Sequence, residues 1–176
     1  MNGVLDIAAA RFEVLEHELN TLDAATGDGD HGATMLKGLR AAAAAAAAHD
    51  APDIAFRKAA GGASGSLFAQ VIGALVKVEQ GGPVGEALSH AAERITMLGQ
   101  AKAGDKTMLD ALLPAAACAT LAEAARAASA GRDATQTMAA KRGRAKYVEG
   151  AGVGHIDAGA TSVAELLRIY AEAAAT

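Results

Sequence analysis

Apolar side chains recur every three or four residues along most of this sequence, and no other feature constrains its fold as strongly. The first segment shows the pattern at Leu5, Ala8, Phe12, Leu15, Leu19 and Leu22. This spacing places the apolar side chains along one face of an α-helix. Stretches that alternate apolar and polar residues, as strands do, are nearly absent, and much of the 52% hydrophobic content is alanine, the best helix former. The sequence therefore predicts an all-α fold.

Glycine- and proline-rich breaks divide this pattern into eight predicted helices. The first six cover residues 4–22, 33–48, 53–60, 67–78, 84–98 and 107–130, and a seventh follows the turn at 131–133 and reaches residue 147. Pro114 lies inside the sixth helix and predicts a kink there. Ser162 and Glu165 have the spacing of a capping box and predict that the last helix begins at Ser162. Because no linker or repeat interrupts this series, residues 1–176 are predicted to form one domain.

Three aspartates and three glycines fall within ten residues, between the first two predicted helices. The acids are Asp23, Asp28 and Asp30. Carboxylates this close repel one another unless a cation lies among them, and carboxylate oxygens are the usual ligands of Mg²⁺. Glycines let the backbone approach a ligand closely, and the free N–H groups of the helix that follows can bind phosphate. The loop therefore predicts a metal–phosphate site.

Three other interpretations of this loop compete with a metal–phosphate site. A plain turn rich in glycine and aspartate is the simplest alternative. The three glycines also have the spacing of a dinucleotide-binding fingerprint, but that motif follows a strand, and here an amphipathic helix precedes it. An EF-hand beginning at Asp28 needs glycine at its sixth position and glutamate at its twelfth, where the sequence has Ala33 and Leu39.

Three further loops stand at helix junctions. Residues 61–66 combine glycines with two serines ahead of a helix, which is typical of an anion site and also of an ordinary helix start. Residues 99–107 resemble a P-loop but have one residue too many and no strand in front. The last loop, residues 144–159, contains the longest irregular stretch, at 149–159. Just before that stretch lies the densest positive cluster, for which a solvated basic face is the ordinary explanation; its members are Lys141, Arg142, Arg144 and Lys146. All four loops can meet at one end of a helical bundle.

Composition limits the class of protein. The net charge is −4 and no basic patch dominates, so nucleic-acid binding is disfavoured. The single cysteine, Cys118, excludes a disulfide framework. No signal peptide is recognisable at the N-terminus, and no apolar run reaches membrane-spanning length. We therefore expect a cytoplasmic protein with no membrane contact.

Four motifs in order resemble the nucleotide-binding L subunit, or L domain, of dihydroxyacetone kinases. They are Leu22-Asp23 followed by Gly-Asp-Gly-Asp-His-Gly at 27–32, Gly-Gly-Ala-Ser-Gly at 61–65, Gly-Asp-Lys-Thr-Met-Leu-Asp-Ala-Leu at 104–112, and Gly-His-x-Asp-x-Gly-Ala-Thr-Ser at 154–162. The resemblance covers nearly the whole chain. It implies an eight-helix antiparallel up-and-down barrel with a nucleotide site at one end.

The resemblance also implies a set of site residues. Asp23, Asp28 and Asp30 match the catalytic aspartates that hold two Mg²⁺ ions, which bridge the phosphates of ADP or ATP. Gly99 and Met108 match positions beside the adenosine, and Ala158 replaces the proline of the family's Asp-Pro-Gly, which is expected to loosen that loop. The full implied nucleotide-binding set is His31, Gly32, Ala33, Thr34, Ala63, Ser64, Gly99, Met108, Arg144, Asp157, Ala158 and Gly159.

The function implied is phosphoryl transfer to dihydroxyacetone or a related short ketose. The family places the sugar on a separate K subunit, so activity is expected only with that partner. A phosphotransferase-system phosphocarrier that recharges a bound ADP coenzyme is a further expected partner, and direct use of ATP is the alternative. A homodimer stays open. A non-catalytic regulatory module that binds nucleotide is the rival from another class, whereas a purely structural bundle would not need the acidic cluster.

Overall fold

The computed structural model describes residues 3–176, and within this range it contains eight α-helices and no strand. The prediction of an all-α fold is therefore confirmed. The helices are α1 Val4–Ala24, α2 His31–Ala47, α3 Pro52–Ala60, α4 Gly62–Glu79, α5 Val84–Gly99, α6 Met108–Ala116, α7 Leu121–Ala134 and α8 Ala158–Ala174.

The helices form a closed up-and-down ring. Each helix packs against the next along the chain, and α8 packs against α1 to complete the circle. The apolar stripes face inward, and Phe12, Leu39, Ile72, Leu109 and Leu166 are almost fully buried in the centre. Because consecutive helices alternate in direction, the junctions α1–α2, α3–α4, α5–α6 and α7–α8 lie at the same end of the ring.

The helix predicted over residues 107–130 is in fact two helices. Pro114 is on α6, which ends two residues later, and Thr120 begins α7 with a capping box to Glu123. Proline lacks an N–H and clashes with the preceding turn, which disfavours one long continuous helix through residue 114, and the chain divides shortly after it. The Thr120-x-x-Glu123 signature was the sequence signal for the new start.

The helix predicted to follow the turn at 131–133 and to reach residue 147 is absent. Instead, α7 runs through Gly131 to Ala134, and only short 3₁₀ turns follow, at Thr135–Thr137, Arg144–Tyr147 and Glu149–Gly152. Gly131 lies inside α7 and allows close packing of α7 on α6. A Cβ there would lie 2.1 Å from the carbonyl oxygen of Asp110 on α6. The predicted number of eight helices is still right, because the sixth predicted helix is two helices and the seventh is absent.

The predicted start of the last helix was also wrong. Asp157 caps α8, accepting a hydrogen bond from the Ala160 N–H at 2.7 Å, and Ser162 lies inside the helix, fully buried. The Ser162-x-x-Glu165 spacing is also compatible with a helix interior, and only the packing of this segment distinguishes the two cases. None of the helices in the described part of the chain combines the length and apolar character needed to cross a bilayer.

A matched pair of glycines tests this packing. A Cβ on Gly38 of α2 would lie 2.5 Å from a ring atom of the fully buried Phe56, whereas a Cβ on Gly73 of α4 would meet nothing closer than 3.6 Å. We expect Gly38→Ala to lower the free energy of unfolding by about 1–3 kcal/mol, because the clash outweighs the better helix propensity. Gly73→Ala should raise it by up to about 1 kcal/mol. Urea denaturation measures both, and a Gly38→Ala variant as stable as Gly73→Ala would contradict the packing described.

Candidate functional site

The four junctions at one end of the ring enclose a cavity of about 510 Å³. Its wall combines the end of α1 and the start of α2 with the α3–α4 junction, the end of α5, the start of α6 and the start of α8. Residues 142–145, from the irregular segment before α8, complete the rim. The prediction that the four glycine-rich loops meet at one end is therefore confirmed.

The acidic cluster lies at the α1–α2 corner of this cavity. One carboxylate oxygen each from Asp23, Asp28 and Asp30 lies within 4.8 Å of the other two. The Asp23 Oδ2 atom also accepts hydrogen bonds from the N–H groups of Gly29 at 2.9 Å and Asp30 at 3.2 Å. Gly29 has a φ of 77°, a conformation that favours glycine and that folds the loop back over Asp23. The sequence thus builds the cluster from a single turn.

The charges in this cluster are unbalanced. Arg144 reaches across the cavity mouth and pairs with Asp28, and this hydrogen-bonded guanidinium lowers the pKa of the Asp28 carboxyl. Desolvation and then repulsion from Asp28 and Asp23 raise the pKa of Asp30. A divalent cation among the three carboxylates would relieve that repulsion, and oxygen ligands suit Mg²⁺. The donor set therefore fits the metal that the sequence predicts.

Four helices begin on the cavity wall, and they differ in how their first N–H groups are satisfied. Thr107 and Asp157 cap α6 and α8 with their side chains. By contrast, α4 begins after Gly61, which has no side chain to cap it, and no side chain accepts a hydrogen bond from its first N–H groups. Uncapped N–H groups at a helix start attract anions. The stretch Gly62–Ser64 is therefore the wall best suited to phosphate.

His31 opens α2 and is buried beneath the cavity. Its Nε2 atom lies 2.8 Å from the Oγ atom of Ser162 on α8, and its ring packs against Phe68 with centroids 5.6 Å apart. Burial lowers the pKa of His31, which favours the neutral imidazole. The contact between His31 and Ser162 joins α2 to α8, which explains why a serine is buried inside a helix.

The opposite wall carries a buried lysine. The Nζ atom of Lys106 donates hydrogen bonds to the carbonyl oxygens of Thr135, at 2.5 Å, and His155. Burial lowers the pKa of Lys106. Nearby, burial raises the pKa of Asp157 to about 6, although the hydrogen bond from Ala160 and the charge of Lys106 oppose that rise.

Most of the predicted site residues line this cavity. They comprise all three aspartates together with His31, Thr34, Ala63, Ser64, Gly99, Met108, Arg144, Asp157, Ala158 and Gly159. Two lie off the wall. Gly32 packs against α1, where a Cβ would lie 2.2 Å from the Glu16 carbonyl oxygen, and the Ala33 N–H donates to the Asn20 Oδ1 atom at 3.2 Å. Nucleotide contact by these residues stays a prediction.

Several cavity residues were not in the predicted set. They include Thr26 and Gly27 in the acidic loop, Lys106 and Thr107 before α6, and Arg142 beside Arg144. The position of Lys106 between a glycine-containing loop and a helix start could have indicated a role in the site. Its partners, the carbonyl oxygens of Thr135 and His155, are too distant in the sequence to be predicted from a local pattern. Arg142 belongs to a basic run whose default interpretation was a solvated face.

Comparison with known proteins agrees with this geometry. The family model described as the DAK2 domain matches residues 25–172. This chain belongs to the DAK2 domain family.

Curated relatives of this DAK2 domain protein carry the names of kinases. The D-erythrulose kinase of Mycolicibacterium smegmatis is 36% identical over 203 aligned residues, which cover 95% of this chain and 34% of the relative. The dihydroxyacetone kinase of Citrobacter freundii is 35% identical, and the triokinase/FMN cyclase of Homo sapiens is 31% identical; the alignments cover 97% and 96% of this chain and 34% of each relative. The chain thus spans about a third of the length of the relatives it matches.

Solved structures show the same fold. The native dihydroxyacetone kinase of C. freundii superposes with a TM-score of 0.73 at 31% identity, over 98% of this chain and 34% of that one. The same enzyme in complex with AMP-PNP and Mg²⁺ gives a TM-score of 0.74 at 30% identity, over 98% of this chain and 33% of that one.

Proposed function

We propose that this DAK2 domain is the nucleotide-binding, phosphoryl-transferring part of a kinase for dihydroxyacetone or a related short ketose. One observation carries the proposal: three carboxylates lie within 4.8 Å of one another on the wall of a cavity of about 510 Å³ that is also lined by an uncapped helix start. A nucleotide needs both features, because its phosphates require a cation on one side and N–H donors on the other. The fold shared with a kinase crystallised with AMP-PNP and Mg²⁺ supports the same assignment.

The residues divide the work according to their positions. Asp23, Asp28 and Asp30 are the proposed Mg²⁺ ligands, with two ions expected from the resemblance. The start of α4, with Ala63 and Ser64, receives phosphate oxygens. The side chain of Met108, at the start of α6, offers an apolar surface to the base, beside Gly99.

The chemistry asked of this chain is positioning and charge balance. Bound Mg²⁺ would neutralise the phosphate charge and hold the phosphate oxygens in place. Arg144 pairs with Asp28, so its guanidinium is close enough to exchange that carboxylate for a phosphate group of a bound nucleotide. Phosphoryl transfer needs little covalent chemistry from the protein. None of the site residues is therefore proposed to act as a nucleophile.

The acceptor is proposed to come from a K subunit. The named relatives act on erythrulose or dihydroxyacetone, and each is about three times as long as the region that this chain matches. We therefore assign the ketose site to the part of those kinases that this chain does not match. The phosphoryl group would pass to the ketose at the solvent-exposed opening of the cavity, close to Arg144.

Two versions of the proposal differ in the phosphoryl donor. An ADP coenzyme recharged by a phosphotransferase-system phosphocarrier rests on the resemblance. Consumption of ATP is favoured by the AMP-PNP complex of the C. freundii enzyme. A coenzyme must stay bound through every turnover, whereas a substrate nucleotide must leave each time.

The ADP off-rate distinguishes these versions. If ADP is a coenzyme, gel filtration of the purified chain should leave ADP bound, and its dissociation should be at least about tenfold slower than turnover with a K subunit and a phosphocarrier. Labelled ADP and a coupled assay measure the two rates on one preparation. Readily lost ADP, together with steady turnover on free ATP, would replace the coenzyme version with the ATP-dependent one.

A further inference from the structure

The irregular segment between α7 and α8, residues 135–157, brings two arginines to the cavity and contains no helix longer than a short 3₁₀ turn. Arg142 and Arg144 line the cavity. Long-range backbone hydrogen bonds within the segment join Ala140 N–H to the Ala151 oxygen at 2.8 Å and Gly154 N–H to the Gln136 oxygen at 2.7 Å. The side chain of Arg144 is 68% exposed. The position of these arginines therefore depends on what anchors the segment to the barrel.

Asp105, just before α6, anchors the part of the segment that leads into the arginines. Its carboxylate is only 3% exposed, and it faces the Nζ atom of Lys141 at 3.9 Å and the Nε atom of Arg142 at 3.8 Å. Its own carbonyl oxygen accepts a hydrogen bond from the Lys141 N–H at 3.1 Å. The Oδ1 atom is buried and receives no hydrogen bond from the described residues, so the Lys141 ammonium is its nearby positive charge. The Oδ2 atom faces Arg142 and also accepts a hydrogen bond from the Lys102 N–H at 3.0 Å.

Lys106, the next residue, joins the two ends of the same segment. Its ammonium binds the carbonyl oxygen of Thr135, where the segment begins, and that of His155, where it returns to α8. The two ends also contact each other directly, because the Thr135 Oγ1 atom accepts a hydrogen bond from the Asp157 N–H at 3.0 Å. Lys106 is 2% exposed, and a buried ammonium is costly unless such partners hold it.

We propose that Asp105 and Lys106 act together as a clasp that holds the segment 135–157 against the barrel. The clasp thereby positions Arg142 and Arg144 on the cavity wall, near the acidic cluster where the nucleotide phosphates are proposed to bind. The two are positioning residues, since the side chain of Lys106 binds both ends of the segment and the carboxylate of Asp105 faces its two cations, apart from one hydrogen bond to Lys102 in its own loop. The anchoring stands on the contacts above, whereas its consequence for the nucleotide rests on the proposed function. Without the clasp, the two arginines would still be present, but nothing would fix their distance from the acidic cluster.

Amide hydrogen exchange tests the anchoring without any nucleotide. We compare Lys106→Met and Asp105→Asn in the full chain, because methionine keeps the length of lysine and asparagine keeps the shape of aspartate. Peptides covering residues 138–154 should exchange at least about tenfold faster in both variants, while the core helices exchange as in the unmodified chain. Lys77→Met is the matched control, since Lys77 is exposed near the end of α4 and does not line this cavity. Unchanged exchange in both variants would overturn the clasp, and circular dichroism confirms that each variant is folded.

Nucleotide affinity tests the consequence and separates it from a direct role of Lys106. Lys106→Met should weaken Mg-ADP binding by about 10- to 100-fold, but by less than about twofold when Arg142 and Arg144 are already alanine, because the clasp then positions nothing. Multiplicative losses would show that Lys106 binds the nucleotide itself and would overturn the positioning role. Unchanged affinity with faster exchange would overturn it as well. If the unmodified chain bound no Mg-nucleotide, the proposed function would fail, whereas the exchange result would still decide whether the segment is clasped.

Discussion

Replacing Asp30 with asparagine is expected to abolish Mg²⁺-dependent nucleotide binding while leaving the fold intact. The Asp30 carboxylate makes no capping hydrogen bond to α2, so removing its charge does not cost the helix its start. Its raised pKa reflects desolvation and crowding by Asp28 and Asp23, which is the condition that a cation relieves. Losing one of three carboxylates should weaken Mg-ADP binding by about 100-fold or more, which corresponds to about 2.7 kcal/mol.

Asp30 is a cleaner probe than its two neighbours. The Asp23 side chain holds the loop through the N–H groups of Gly29 and Asp30, and loss of Asp28 would also release Arg144. Asp50→Asn is the matched control, because Asp50 is exposed in the turn between α2 and α3, away from the cavity. Isothermal titration calorimetry measures affinity, and the rise in melting temperature with Mg-ADP reports binding independently. Wild-type affinity in Asp30→Asn would show that the acidic cluster does not hold the metal.

The second large effect concerns the partner. On its own, the chain should phosphorylate dihydroxyacetone or erythrulose at less than about 1% of the rate that it reaches when a K subunit is added, because phosphoryl transfer requires an acceptor held in line with the phosphate. This expectation follows from the proposed function and from the third of the kinase length that the chain matches. A coupled assay for the sugar phosphate, run with and without a K subunit, measures the ratio.

Asp30→Asn serves as the negative control for that assay. It should stay inactive with the K subunit, which excludes a contaminating kinase as the source of activity. Asp50→Asn should be as active as the unmodified chain. Sugar phosphorylation by the purified chain alone, at a rate that Asp30→Asn abolishes, would mean that the ketose binds to this domain and that the division of labour proposed here is wrong.

The sequence was sufficient wherever the determining interactions are local. The helix period follows from residues three or four apart, and it predicted an all-α chain. The acidic cluster is built within one turn, since Asp30 comes only seven positions after Asp23. Alternation of helix direction, together with glycine-rich junctions, then placed four loops at one end, and the cavity is found there.

The tertiary structure alone decided the interactions between distant residues. His31 meets Ser162 across 131 positions, and Lys106 meets His155 across 49, so neither pair leaves a local pattern. The same holds for Gly131, which resembles a helix break until the backbone of α6 is seen to pass against it. The stretch from Thr135 to residue 147 was wrongly predicted as α-helix for the same reason. Hydrogen bonds from the buried Lys106 and contacts with the buried Asp105 hold the segment 135–157 in an irregular path with short 3₁₀ turns. Local propensity amounts to fractions of a kcal/mol per residue, and tertiary contacts of this kind outweigh it.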